Sequence, residues 1–141
     1  MRLTKNFTLE ELCASDTAKR MGIDNKPSAV AESNLLLVAR NILQPLRDAY
    51  GKSIVINSGY RCPALNKAVG GASTSQHLKG EAVDIRCNNK ETREWIFNWI
   101  KANCKFDQLI LEHNSQGVYW VHVSYRRTGN RKQVIGNLLK K

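Results

Sequence analysis

The clearest pattern in the chain is a two-residue alternation towards its C-terminal end. Tyr119, Val121, Val123 and Tyr125 fall on one face of an extended segment, and Val118, Trp120, His122 and Ser124 on the other. This predicts a strand over Tyr119–Tyr125 with one core face and one face that presents His122 to a cleft or to solvent. The same period sorts Ala82-Val-Asp-Ile-Arg86, where Ala82, Asp84 and Arg86 share a face and Val83, Ile85 and Cys87 the other. Gln108-Leu-Ile-Leu-Glu112 reads as another strand, and Ser53-Ile-Val-Ile-Asn57 as a buried one ending in the turn signal Ser58-Gly59.

A helical period governs two longer segments. From Ser28 to Tyr50, Leu35, Val38, Ile42, Leu46 and Tyr50 recur at steps of three and four and form one apolar stripe. Pro45 lacks an N–H and is expected to kink or break this helix near Gln44. Lys90 to Asn103 reads as a helix capped by Asn88 or Asn89, with Trp95 and Trp99 on one face, Ile96 and Ile100 on the next, and both tryptophans assigned to the core. Near the N-terminus Phe7-Thr-Leu-Glu-Glu-Leu12 has capping-box spacing, Thr8 at the N-cap and Glu11 three residues on. Early helices, later strands and one helix between them predict an α+β fold with an antiparallel sheet and flanking helices. No repeat or flexible linker divides the chain, so residues 1–141 are read as one domain. No Gly-x-Gly-x-x-Gly or phosphate loop follows a strand.

Charge adds a partner but not its identity. With 22 Lys and Arg against 12 Asp and Glu, the chain carries a formal net charge of +10, which suits nucleic acid, an anionic membrane or an anionic cell wall. The basic residues are scattered apart from a C-terminal group that includes Arg126, Arg127, Arg131 and Lys132, and no helix has a basic stripe interleaved with aromatics. Nucleic acid is therefore not the expected partner. No run approaches the roughly 20 apolar residues of a membrane span, so no stable membrane association is expected, and Met1-Arg-Leu-Thr-Lys-Asn-Phe7 does not read as a secretory signal. That implies synthesis in the cytoplasm without its own signal peptide, where Cys13, Cys62, Cys87 and Cys104 are expected to be reduced. A Cys62–Cys87 bridge is the alternative.

The chemistry lies where two of the strands meet a loop. Ser75-Gln-His-Leu-Lys-Gly-Glu-Ala-Val-Asp84 runs into the strand that holds Asp84, and a carboxylate among apolar neighbours needs a partner. His77, Asp84 and His122 can supply two imidazole nitrogens and one carboxylate oxygen. Three protein ligands with a fourth position left to water is the pattern of a catalytic zinc rather than a structural one.

Ser75-x-His77-x-x-Gly80-x-Ala82-x-Asp84, followed by Trp120-Val-His122-Val-Ser124 and preceded by Ser58-Gly-Tyr-Arg61, resembles the M15 zinc D-Ala-D-Ala carboxypeptidases and related phage endolysins. The resemblance implies the Hedgehog/DD-peptidase fold, one Zn2+ per chain held by His77, Asp84 and His122, and Arg61 as a catalytic and substrate-binding cation. It also places Ser75 near the substrate, where a loop-capping hydroxyl is the competing reading. The implied function is hydrolysis of peptide bonds in peptidoglycan stem peptides, by a monomer that reaches the wall after holin-type release or as a virion component. A catalytically inactive zinc-binding module for the cell wall or the virion is the alternative.

Several members of that family place an acid three positions before the second histidine ligand, where this chain has Tyr119. Glu112 is therefore assigned as general base. If residues 113 to 117 form the hairpin loop, Glu112 lies opposite Val118, two rungs and roughly 13 Å from His122 along the strand. Asp107 and Glu81 are alternative bases and otherwise surface charges. His113 is expected in an exposed turn, with a role in the site the alternative, and Arg126 and Arg127 at a solvated strand end, with binding of substrate carboxylates the alternative.

Overall fold

The computed structural model describes residues 1–140, with side chains to residue 136. A short ribbon, β1 (Arg2–Thr4) with β2 (Phe7–Thr8), leads into α1 (Leu9–Cys13). The expected capping box is present: Thr8 accepts from the Glu11 backbone N–H, and Glu11 accepts from the Thr8 N–H. After α2 (Asp16–Met21) comes one long helical stretch, α3 (Ala29–Val38), a π-helical turn (Ala39–Leu43) and α4 (Gln44–Tyr50). The predicted break at Pro45 takes the form of this turn, in which Gln44 N–H reaches back five residues to the Ala39 carbonyl. Leu35, Val38, Ile42 and Leu46 are all fully buried, as their spacing requires.

The remaining elements are β3 (Ile56–Ser58), α5 (Pro63–Ala68), a 3-10 turn (Gln76–Lys79), β4 (Ala82–Cys87), α6 (Lys90–Asn103), β5 (Gln108–Asn114), β6 (Tyr119–Ser124) and β7 (Gln133–Lys140). Five strands form one sheet in the order β3-β4-β6-β5-β7. The expectation of an antiparallel sheet holds for four of them, but β7 runs parallel to β5, so the sheet is mixed. The sequence reading has no strand there, because residues 133–140 show no sustained alternation. Asn89 caps α6 as expected. Of its two tryptophans, Trp99 packs at the core margin, while Trp95 is 41% exposed, with its ring 5.1 Å from that of Tyr50.

The sheet's register is set by its apolar face. Val83, Ile85, Leu109, Val121 and Val123 are fully buried against α3 and α6, in one cluster with Leu35, Val38, Ile96 and Ile100. Burial of such a side chain contributes about 1.5–3 kcal/mol, and a one-residue slip would turn all of them outward, at a cost on the order of 10 kcal/mol. The opposite face, carrying Asp84, His122 and Glu112, is therefore placed by residues it never touches.

Candidate metal centre

Two loop features bring His77 to the polar face. Ser75 caps the 3-10 turn by accepting from the His77 N–H at 3.2 Å, so the capping reading of this serine is observed. Gly80 ends the turn at φ +72°, and a Cβ there would strike the Ala31 carbonyl of α3. Gly59 is equally constrained, since a Cβ would strike the Leu12 carbonyl. Its own carbonyl oxygen lies 2.7 Å from His77 Nδ1. A carbonyl only accepts, so Nδ1 carries the proton, and the Nε2 lone pair of a neutral ring is left facing Asp84 Oδ2 at 3.4 Å.

His122 reaches Asp84 from the adjacent strand. The two residues are register partners in the β4–β6 ladder, and His122 Nδ1 lies 2.9 Å from Asp84 Oδ1. Burial would push the Asp84 carboxyl up, but the adjacent His77 and His122 outweigh it and hold it well below the usual carboxylate range. The three ligand atoms all lie within 4.8 Å of one another. A tetrahedral zinc with bonds of about 2.0–2.1 Å separates its donors by roughly 3.3 Å, close to the spacings between Asp84 and the two rings. Acceptors aimed at one another at these distances require a cation or a proton between them. A backbone carbonyl holding the far nitrogen of a ligand histidine is the usual outer support of such a site. These residues can hold a zinc ion.

The cluster lies in a cleft of about 710 Å³ that also contains Arg61, Glu112, Trp120 and Arg126. Arg61 follows the turn after β3, and its backbone N–H donates to the His77 carbonyl at 3.0 Å. Burial lowers the pKa of its guanidinium against the opposing pull of Asp84 and Glu112, and all three line the same cleft. Its Nε is buried with no hydrogen-bond partner among the described residues. Asn25 grips this segment on both sides: Nδ2 donates to the Tyr60 carbonyl at 2.9 Å, and Oδ1 accepts from the Cys62 N–H at 2.8 Å. The sequence reading missed Asn25, because its isolated position in a polar loop carries no periodic signal.

The position of Glu112 corrects the expected register. Asn114 accepts from the backbone N–H groups of Gln116 and Val118 at 3.0 Å and so closes the hairpin around residues 115–117. Glu112 therefore pairs with Trp120 rather than Val118. That puts it one rung from His122 on the same face, about 7 Å along the strand instead of 13 Å. It is 3% exposed. His113, expected in an exposed turn, is a β5 residue paired with Tyr119, and the two rings stack at 6.3 Å. Tyr119 lies on the core side as expected, beneath the buried Arg93 guanidinium at 4.8 Å.

Asp107 is not a surface charge. It is fully buried and accepts from Arg131 Nε and Nη2 at 3.0 and 2.9 Å, a pairing that holds its carboxyl below the usual range. Glu81 accepts from the Gln76 side chain at 3.4 Å. Both line the cleft. All four cysteines are free, so there is no Cys62–Cys87 bridge, and burial pushes the Cys87 and Cys104 thiols up to about 11. No helix among the described residues is long and apolar enough to cross a membrane.

The comparisons agree with this chemistry. The sequence pattern of the family described as Peptidase M15 matches residues 5–124. The chain is similar to a zinc D-Ala-D-Ala carboxypeptidase of Streptomyces albus G, 41% identical over 83 residues, a match that covers 57% of this chain and 31% of that protein.

Proposed function

The chain belongs to the peptidase M15 family, and we propose that it is a zinc-dependent peptidase that hydrolyses peptide bonds in the stem peptides of bacterial peptidoglycan. The observation that carries this reading is the meeting of His77, Asp84 and His122 in a polar cleft that also holds a buried carboxylate, Glu112, and the half-buried Arg61. The bacterial wall is the substrate because the relative's named activity is on D-Ala-D-Ala and because the chain's charge of +10 suits an anionic polymer. On this reading residues 1–141 act as one catalytic domain and a monomer.

His77, Asp84 and His122 would hold the zinc. When bound, the ion supplies Lewis acidity, which generates a water nucleophile at neutral pH and polarises a carbonyl. The chain's own residues do the rest. Glu112 takes the proton of the attacking water and passes it to the leaving amine, a contribution of about 10²–10⁴ in rate. Arg61, held by Asn25, stabilises the developing oxyanion with a fixed charge that needs no reorganisation as the reaction proceeds. Ser75 keeps His77 in place and lines the substrate side of the cleft.

The test is solubilisation of purified sacculi by the zinc-loaded protein, with separation of the released peptides. Wild type is expected to release them, and Glu112→Gln to retain about one zinc while losing at least 100-fold in rate. Loss of a terminal D-alanine would mark a carboxypeptidase, and internal cleavage that dissolves the wall an endolysin. One zinc per chain with no hydrolysis of any wall peptide would overturn the enzymatic reading in favour of an inactive binding module.

A further inference from the structure

The segment after β6 carries three arginines, and the structure treats them differently. Arg127 Nη2 donates to Ser33 Oγ on α3 at 2.7 Å. Arg131 grips both oxygens of the buried Asp107, and its backbone N–H donates to Oδ1 at 3.0 Å. These two contacts anchor the loop to the helical layer and to the start of β5. Arg126 precedes both, with its backbone held twice by Asn130: its N–H donates to Asn130 Oδ1 at 2.7 Å, and its carbonyl accepts from Nδ2 at 2.9 Å. Its guanidinium is exposed, makes no hydrogen bond among the described residues and lines the same cleft as the ligand cluster. Asp107 feels its charge, yet both Asp107 oxygens are engaged by Arg131.

A cation with an immobilised backbone and an uncommitted side chain is preorganised for an anionic partner, because little ordering remains to be done on binding. Its place in the cleft narrows that partner. The cleft runs along β6, with Glu112 opposite Trp120 at one end, His122 in the middle and Arg126 beyond the other end. Arg126 is four residues past His122, at most ~13 Å of extended chain, and its own side chain shortens that span. An extended peptide with its scissile bond at the ligand cluster would bring a group about two to four residues away, at ~3.3 Å per residue, within reach.

We propose that Arg126 is a specificity-determining residue that binds a carboxylate of the substrate peptide, about two to four residues from the bond that is cut, at the end of the cleft away from Glu112. The assignment rests on the peptidase reading given above. A guanidinium suits it better than an ammonium, because its planar fork engages both carboxylate oxygens.

The experiment uses the zinc-loaded full chain and two synthetic stem peptides, identical except that one bears a free carboxylate at this distance and the other the primary amide. Arg126→Gln is expected to raise KM about tenfold for the carboxylate peptide, to leave kcat within about twofold and to leave the amide peptide unaffected. Arg126→Lys should recover part of the loss. Arg127→Gln should leave the preference between the two peptides intact. Equal effects of Arg126→Gln on both peptides, or no effect on either, would overturn the proposal. If wild type cleaves neither peptide, the peptidase reading has failed separately. Calorimetric binding of the carboxylate peptide then decides for Arg126: tenfold weakening in Arg126→Gln supports it, and unchanged affinity overturns it.

Discussion

The two faces of the β4–β6–β5 sheet are built from alternate residues of the same strands, yet they have opposite requirements. One face carries Val83, Ile85, Leu109, Val121 and Val123, all fully buried, and its residues are exchangeable within limits of volume. The other carries Asp84, His122 and Glu112, whose worth depends on positions good to a few tenths of an ångström. Polar groups alone would not define that register, since facing acceptors repel until a cation joins them. The apolar face supplies the energy that fixes the strands, and the polar face uses the resulting geometry. Substitutions on the two faces should therefore separate cleanly into effects on function and effects on stability.

The sharpest separation is expected at Asp84. Asp84→Ala should abolish zinc retention and reduce peptide hydrolysis by at least 1,000-fold, a loss consistent with removing a residue on which the whole rate enhancement depends, with far-ultraviolet dichroism unchanged. A variant that still holds one zinc and turns over would break the distinction between the faces. On the apolar face Leu109→Ala should cost about 2–5 kcal/mol in denaturant unfolding while activity per folded molecule persists well below the melting temperature. Loss of activity without loss of stability there would show that the apolar face does more than set register.

A smaller effect should come from Asp107, which joins the polar face to the loop of Arg126. Asp107→Asn should destabilise by about 1–3 kcal/mol at pH 7, the range for charge-assisted hydrogen bonds to a buried group. The sign of its pH dependence follows from the lowered carboxyl. Its stabilising contribution is fully present above the ordinary carboxylate range, near pH 4, and is lost as pH falls through the lower value of the folded state. The gap between wild type and variant should therefore narrow in acid. A gap that stays constant from pH 7 to pH 3 would exclude a charged Asp107 as its source.

The contrast between the faces also accounts for what could be read from the sequence. Alternation marked β4 and β6 and put Asp84 on the face opposite Val83 and Ile85, and His122 on the face opposite Val121 and Val123, within their own strands, because an apolar face leaves a period-two imprint; that the two meet on one sheet face is set by the β4–β6 register. The long helix was legible for the same reason, with Leu35, Val38, Ile42 and Leu46 all buried. Glu112 was placed a rung too far from His122, because the hairpin register depends on a single side chain, Asn114, closing the turn. Strand β7 escaped notice because its pairing with β5 is parallel and its segment lacks alternation. Asn25 and Asp107 act through hydrogen bonds to distant backbone or to a distant arginine, and no local pattern encodes such a contact.

The most direct test of the account is a paired measurement on one preparation of wild-type protein: zinc content and wall-peptide hydrolysis before chelation, after chelation and after zinc is returned. About one zinc per chain is expected, with loss of both zinc and hydrolysis on chelation and recovery of both together when zinc returns. Hydrolysis that continues after the metal has been stripped, or a full complement of zinc that never supports hydrolysis, would contradict it.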